Sequence, residues 1–161
     1  MRVAVYPGSF DPPTHGHLNI IERGAHVFDE VVVTIATNTS KKGVFTPEER
    51  MDLIRQLTKH LPNVRVEGFT GLLVDFMSKK DYHVVLRGIR TVQDFEYEFQ
   101  MALSNKHLNP DIETVFMMTD AKYSHLSSSL IREIVMLGGS TKGMVPEIAE
   151  KALREKLSPK K

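Results

Sequence analysis

The apolar residues of the chain are concentrated in five short runs that are rich in β-branched side chains, and longer stretches of mixed polarity separate these runs. A short apolar run of this kind, bounded by turn residues, is typical of a strand buried in a parallel sheet. The five predicted strands span residues 3–5, 31–36, 64–67, 83–86 and 113–118.

The stretches between these runs carry helix signals. Residues 46–49 supply a capping Thr46, Pro47 at the first helical position and Glu49 three residues after the cap. Phe95, Phe99 and Leu103 recur at helical spacing and predict an apolar stripe on a long helix. The predicted helices cover residues 18–25, a segment that begins near 46, 72–77, 91 to about 107, 128 to about 137, and 146 to about 157.

This alternation of strands and helices predicts an α/β fold in which a doubly wound, parallel five-stranded sheet carries helices on both faces. The sequence shows no internal repeat and no linker, so we expect one Rossmann-like domain over residues 1–158 and a frayed tail at 159–161. Ligands bind such sheets at the carboxyl ends of the strands, which is where candidate functional residues are expected.

Composition narrows the classes of function. Lys and Arg total 21 and Asp and Glu total 20, so the chain lacks the basic excess expected of a general nucleic-acid binder. It has no cysteine, which excludes disulfides and thiolate chemistry. No apolar run approaches the length of a membrane span and the N-terminus leads directly into a strand, so we expect a cytoplasmic protein with no membrane partner.

The turn between the first strand and the first helix is the strongest candidate for chemistry. Thr14 can cap the helix, which leaves His17 in the first turn, where its ring can donate to a phosphate oxygen held by the exposed helix amides. Gly8 and Gly16 allow close approach of a ligand to the backbone. The alternative interpretation is a capping turn that carries a surface histidine.

Cationic and hydroxyl groups follow three later strands. Lys41 follows the second strand and suits a phosphate as a mobile point charge, although a Lys-Lys pair is also typical of a solvated turn. Arg87 and Arg90 follow the fourth strand and can grip phosphate oxygens with planar forks, or could be two surface arginines. Residues 127–129 are three serines at a predicted helix N-terminus, which favours phosphate binding over simple capping.

Two polar residues share one side of the long predicted helix. Glu98 and Asn105 lie two turns apart with the small Ala102 between them. Glu98 could accept a hydrogen bond from a ribose or a base, and Asn105 could bind an amide-bearing substrate. Spacing alone favours a solvent-facing helix side instead.

Together these segments resemble a known family. The run from Thr14 to His17 matches the T-x-G-H signature of the nucleotidyltransferase superfamily, and the block from Arg87 to Arg90 with Asp94-Phe95-Glu96-Tyr97-Glu98 resembles the bacterial phosphopantetheine adenylyltransferases. The resemblance extends from Tyr6 to Leu130. Among the small departures, Ser9 stands where threonine is common and keeps the hydroxyl, whereas His15, Tyr123 and His125 differ in side chain from the residues usual at their positions.

The resemblance implies transfer of the adenylyl group of ATP to 4'-phosphopantetheine, which gives dephospho-coenzyme A and pyrophosphate. It also implies Mg²⁺ carried with ATP, a homohexamer and feedback inhibition by coenzyme A. The residues implied to bind ATP are Ser9, Phe10, His17, Gly88, Ile89, Arg90, Glu98, Tyr123, Ser124, His125, Leu126, Ser127, Ser128 and Ser129. Those implied to hold phosphopantetheine are Ser9, Lys41, Leu73, Arg87 and Asn105, and those expected to act in catalysis are His17, Lys41 and Arg90.

The expected reaction is a direct in-line displacement at the α-phosphorus, because the nucleophile is a phosphate that is already ionised at neutral pH. No general base and no dedicated protein site for a metal are expected. The alternatives are another nucleotidyltransferase, which would use nicotinate mononucleotide or CTP, and a non-catalytic nucleotide-binding module. A dehydrogenase is disfavoured because G-x-G-x-x-G does not follow the first strand.

Overall fold

A computed structural model describes residues 1–37 and 43–157 of the chain. The five strands are β1 (Val3–Pro7), β2 (Glu30–Ala36), β3 (Val64–Phe69), β4 (Val84–Ile89) and β5 (Glu113–Met118). The helices are α1 (His15–Val27), α2 (Pro47–Thr58), α3 (Leu73–Lys80), α4 (Val92–Leu108), α5 (Ser128–Met136) and α6 (Glu147–Leu157), with a 3₁₀ turn at Ala121–Tyr123. The predicted tail at 159–161 lies outside the described residues.

All strand pairs are parallel and the strand order is β3-β2-β1-β4-β5, so the predicted five-stranded α/β sheet is confirmed. Helix α1 begins at His15, directly after the predicted cap at Thr14 and three residues before the predicted helical run at 18–25. The 3₁₀ turn was not predicted.

The topology creates a crevice between β1 and β4. The order of strands reverses at β1, which is the position where open α/β sheets bind ligands. β1 stays in register with β2 as far as Pro7↔Thr34, whereas its pairing with β4 ends at Val5↔Val85. The two strands therefore separate at their carboxyl ends and leave room between them.

Two apolar layers hold the sheet rigid beneath this crevice. Ile20 and Ile21 of α1 pack with Ile54 of α2 against one face of the sheet, and Val74 and Met77 of α3 pack against the other. A third cluster joins α5 and α6 to the segment that leads into α2. Burial of the large aliphatic side chains stabilises the fold by roughly 1.5–3 kcal/mol each.

Helix α4 differs from the other helices. Its apolar stripe is largely exposed in the isolated chain, with Phe95 at 43%, Phe99 at 47% and Leu103 at 56% exposure. The residue that α4 buries is instead Glu98. The solvent-facing interpretation of Glu98 was therefore wrong, because a partner on β4 draws the carboxylate inward.

Candidate active site

The turn between β1 and α1 fixes the position of His17 through a reciprocal capping box. The backbone N–H of His17 donates to Thr14 Oγ1 at 3.2 Å, and the backbone N–H of Thr14 donates to His17 Nδ1 at 3.0 Å. The predicted cap at Thr14 is confirmed. Because Nδ1 accepts this hydrogen bond, the proton of the neutral ring resides on Nε2.

The surroundings of His17 keep its ring neutral. Burial, followed by the positive charges of Arg90 and Arg87, lowers the pKa of His17 to about 4. The ring lies edge-on to Phe10, with 4.9 Å between ring centroids. At neutral pH His17 can therefore donate one hydrogen bond from Nε2, and it is not an imidazolium.

Two neighbouring cavities occupy the crevice, with volumes of about 680 Å³ and about 350 Å³. Arg87, Ser9 and the backbone of Pro7 lie between them, and Arg87 Nη1 donates to the carbonyl of Pro7. The residues that line both cavities are Pro7, Gly8, Ser9, Arg87, Glu98 and Arg132. A group bound in either cavity is therefore adjacent to one bound in the other.

The smaller cavity collects most of the residues that the resemblance assigned to ATP. These are Ser9, Phe10, His17, Gly88, Arg90, Glu98, Leu126, Ser127, Ser128 and Ser129. The other four, Ile89, Tyr123, Ser124 and His125, do not line it. Tyr123 instead stacks on His15 at 5.9 Å between centroids, and Ser124 Oγ donates to the carbonyl of Ala121.

Phe10 reaches the smaller cavity from within the protein core. Its side chain is fully buried and packs edge-on to Tyr6, while its backbone adopts a left-handed conformation with φ of 48°. A β-carbon on Gly8 would lie only 2.8 Å from the Phe10 ring, so the turn requires glycine there. Ser9 is the exposed residue of this turn and Gly8 is half-buried, so these two residues are accessible to a ligand.

The larger cavity contains the described residues that were assigned to phosphopantetheine. They are Ser9, Leu73, Arg87 and Asn105. The fifth, Lys41, lies outside the described residues. Leu73 begins α3 and Asn105 lies near the end of α4, so this cavity runs between these two helices and ends at Ser9 and Arg87 beside the smaller cavity.

Two arginines of the site, Arg87 and Arg90, have carboxylate partners. The Arg87 guanidinium grips both oxygens of Glu98, with Nε donating to Oε2 at 2.7 Å. Arg90 grips Asp94, with Nε donating to Oδ2 at 2.9 Å. Burial alone would lower the pKa of Arg87, but the hydrogen bond and charge of Glu98 outweigh it and raise that pKa. Both guanidinium groups are held in place by their carboxylate partners.

The three predicted serines have separate roles at the start of α5. Ser127 Oγ accepts from the N–H of Leu130 and caps the helix, at 3.2 Å. Ser128 Oγ donates to the carbonyl of Pro12 at 2.8 Å, which ties α5 to the turn after β1. Ser129 Oγ accepts from Arg132 Nη2 at 3.3 Å. The hydroxyls and the helix N-terminus thus line the smaller cavity together.

Three charged residues of the site were missed in the sequence. Arg132 lines both cavities and donates to the carbonyl of Asp11 at 2.6 Å. Asp11 accepts from the backbone N–H groups of Val44 and Phe45, each at 2.9 Å. Arg50 lines the larger cavity. The only sequence signal for Arg132 was its place one turn beyond the serine run. Arg50 carried no such signal, because in sequence it lies within α2 and does not follow a strand.

The chain was compared with known proteins. The model of the cytidylyltransferase-like family matches residues 5–134. Phosphopantetheine adenylyltransferase of Clostridium tetani is 60% identical over 91% of this chain and 92% of its own length. The enzymes of the same name from Carboxydothermus hydrogenoformans and Dictyoglomus turgidum are 54% and 53% identical, over 97% and 99% of this chain and 96% and 100% of their own lengths.

The chain belongs to the phosphopantetheine adenylyltransferase family. It is therefore a nucleotidyltransferase enzyme, as the sequence indicated. A solved structure from Vibrio parahaemolyticus, assigned to the nicotinate-nucleotide adenylyltransferases, superposes with a TM-score of 0.70 at 19% identity and covers 98% of each chain. At that identity the similarity shows a shared fold only.

None of the helices over 1–37 and 43–157 has the length and apolar character needed to cross a membrane. Over the same ranges, no group of three or more His, Cys, Asp or Glu side chains is arranged to hold a metal ion.

Proposed function

We propose that this chain transfers the adenylyl group of ATP to the phosphate of 4'-phosphopantetheine and releases pyrophosphate. Membership of the family supports the reaction, and the observation that carries the site assignment is the pair of adjoining cavities. In the proposal ATP occupies the smaller cavity, with its phosphates at His17, Arg90 and the start of α5. Phosphopantetheine occupies the larger one, with its phosphate near Ser9 and Arg87.

The mechanism follows from how the two cavities adjoin. The acceptor phosphate, ionised at neutral pH, attacks the α-phosphorus of ATP directly, and pyrophosphate leaves from the opposite side. His17 donates from Nε2 to an oxygen of the α-phosphate as negative charge redistributes there. Arg90 and the N-terminus of α5 hold the β- and γ-phosphates that depart. Catalysis is then positioning and charge stabilisation, with no general base.

Two cationic side chains are proposed to bind the acceptor phosphate and bring it close to the negatively charged ATP. Arg87 lies where the two cavities adjoin and is held rigid by Glu98, so it presents a fixed positive edge to the acceptor phosphate. Lys41 is proposed to meet the same phosphate as a mobile point charge. The apolar Leu73 and the amide of Asn105 suit the pantetheine arm, which alternates methylene groups with amides.

Magnesium fits this site as an ion carried by the nucleotide. The nearby carboxylates of Glu98, Asp94 and Asp11 are already engaged by arginines or backbone N–H groups, so the described part of the chain offers no set of free ligands here. Mg²⁺ usually keeps several of its water ligands and binds to the phosphate oxygens of a nucleotide. When bound, it would neutralise part of the charge on the ATP phosphates.

The exposed apolar stripe of α4 supports a homohexamer as part of the proposal. Phe95 stacks on Phe99 and meets Phe116 of β5 edge-on, which continues the apolar surface onto the sheet edge. Such a surface is typical of a contact between subunits.

We also propose a cytoplasmic location and inhibition by coenzyme A, which shares the pantetheine arm and would compete for the larger cavity.

Release of pyrophosphate tests the proposed reaction. Purified protein with Mg·ATP is expected to release pyrophosphate only when 4'-phosphopantetheine is added. Nicotinate mononucleotide serves as the rival acceptor in a matched reaction. Equal release with nicotinate mononucleotide, or none with phosphopantetheine, would refute the proposal.

A further inference from the structure

Arg50 is a buried arginine beside the larger cavity that has no role in the reaction described so far. It lies in the first turns of α2, which begins at Pro47, and is only 6% exposed. Ser9, Arg87 and Arg132 line the same cavity. A guanidinium is rarely buried to this extent without a partner for its charge.

The hydrogen bonds of Arg50 leave one end of the guanidinium open. Nη1 donates to the carbonyl of Ser9 at 2.9 Å, and Nε lies 3.4 Å from the carbonyl of Thr46. Nη2 has no hydrogen-bond partner among the described residues. Among the described residues, the side-chain polar atoms that are both unpartnered and fully buried are the hydroxyls of Thr34 and Thr141. Because Nη2 of Arg50 is unpartnered and is not one of these atoms, it is not fully buried. Nη2 therefore keeps some access to solvent, and the cavity that Arg50 lines is the larger one.

The charge of Arg50 is also uncompensated. Arg87, Arg90 and Arg132 each have a carboxylate within 4.0 Å, at Glu98, Asp94 and Asp11 respectively. Among the residues that the structure describes, Arg50 has none within that distance. Residues 38–42 contain no Asp or Glu, so that segment adds none. The larger cavity thus contains one buried positive charge that lacks a counter-ion.

We propose that Arg50 binds the acceptor phosphate through Nη2 and supplies the net positive charge that selects a phosphorylated acceptor. This inference rests on the proposed function, because it places the phosphate of phosphopantetheine in the larger cavity. A phosphate monoester carries nearly two negative charges at neutral pH and accepts several hydrogen bonds. The contact of Nη1 with Ser9 orients the planar fork toward the place where Ser9 and Arg87 meet the same phosphate.

The position of Arg50 favours the acceptor over ATP as its ligand. Arg50 lines the larger cavity and does not line the smaller one, where His17, Arg90 and the start of α5 lie. Arg87, in contrast, borders both cavities and has its charge offset by Glu98. Arg50 is therefore expected to affect acceptor binding much more than nucleotide binding.

Calorimetric titration with phosphopantetheine and with unphosphorylated pantetheine tests this role. Arg50→Gln is expected to weaken phosphopantetheine roughly tenfold to a hundredfold, as for a lost charge-assisted hydrogen bond. Pantetheine and ATP should bind within about twofold of the unmodified protein, since neither places a phosphate at Arg50. The matched control is Arg55→Gln, which removes an exposed arginine of the same helix that pairs with Glu48 and Asp52.

A local folding defect would give a different result, because it would weaken pantetheine and phosphopantetheine alike. An unchanged ratio of the two affinities in Arg50→Gln would overturn the inference. If that variant fails to fold, a crystal of the unmodified protein with phosphopantetheine decides: a phosphate oxygen is expected within about 3.2 Å of Nη2. A phosphate remote from Arg50 would overturn the inference, whereas failure of phosphopantetheine to bind the unmodified protein would refute the proposed function itself.

Discussion

A single backbone hydrogen bond determines what His17 can do. The N–H of Thr14 donates to Nδ1, which is the basic nitrogen of the neutral ring. The ring therefore has no free acceptor and offers Nε2–H as a donor in the smaller cavity, which His17 lines. Burial and two nearby arginines keep the ring from gaining a second proton. The side chain is thus a neutral hydrogen-bond donor, which suits an α-phosphate that changes its charge distribution during transfer.

Removal of this donor should slow the reaction without unfolding the protein. His17→Ala is expected to lower kcat by roughly a hundredfold or more, the size of effect seen for lost transition-state donors. Steady-state kinetics with both substrates saturating measures it, and circular dichroism checks the fold. His26→Ala, an exposed histidine of the same helix, is the control. Turnover of His17→Ala close to that of the control would remove His17 from the mechanism.

The lowered pKa of His17 also makes the free energy of unfolding depend on pH. Between its ordinary value of 6.5 and about 4, an unfolded chain protonates His17 whereas the folded chain does not. Protonation then favours the unfolded state, so His17 costs stability as the pH falls through this window. His17→Asn, which lacks this titration, should lose less unfolding free energy between pH 6.5 and pH 4. Denaturant titrations of both proteins compare them, and parallel pH profiles would contradict the lowered pKa.

At the scale of the elements, β4 and α4 act as one unit through the ion pair of Arg87 with Glu98. The pair connects a strand end at the floor of the crevice to the only residue that α4 buries. Rigid support of this kind holds the Arg87 fork at the junction of the cavities. Glu98 therefore serves the site by orienting Arg87, in addition to lining both cavities.

Loss of the Glu98 charge should destabilise the protein and loosen the site. Glu98→Gln leaves the partly buried Arg87 without its counter-ion, and we expect a loss of about 3 kcal/mol in unfolding free energy. Glu96→Gln, an exposed neighbour on α4, should change it by less than about 0.5 kcal/mol. Urea denaturation measures both. Equal, small effects would show that the ion pair does not hold α4 against β4.

Features of these elements that depend on local sequence could be predicted, and features that depend on contacts between elements could not. Thr14, Thr46 and the five strands were predicted because their signals are local: a cap, a following proline or an apolar run. The burial of Glu98 was not, since it depends on Arg87 eleven residues away on another element. Arg132 escaped notice for the same reason, because its partner, the carbonyl of Asp11, lies 121 residues away in sequence.

At the scale of the whole molecule, the isolated chain leaves a continuous apolar surface on α4 and β5 exposed to solvent. The α4 stripe and the adjoining edge strand β5 show exposed Phe95, Phe99, Leu103 and Val115 together. The sequence predicted the stripe correctly, but not its exposure, because periodicity identifies an apolar face without identifying what covers it. In the proposed hexamer another copy of this chain covers it.

A charge within this stripe should therefore reduce the assembly. Phe99→Asp is expected to shift the sedimentation mass from that of a hexamer to that of smaller species, because burying an unpaired carboxylate opposes association. Val27→Asp, which charges an exposed apolar residue on α1, should leave the mass unchanged. A Phe99→Asp protein of unaltered mass would place the subunit contact elsewhere.

The proposed reaction requires the two substrates to meet where the two cavities adjoin. A crystal structure with phosphopantetheine and a non-hydrolysable ATP analogue measures this directly. An oxygen of the acceptor phosphate is predicted to lie about 3–3.5 Å from the α-phosphorus, in line with the departing oxygen and beside Nε2 of His17. A phosphopantetheine bound outside the larger cavity, or a nucleotide whose α-phosphate lies away from His17, would contradict the account.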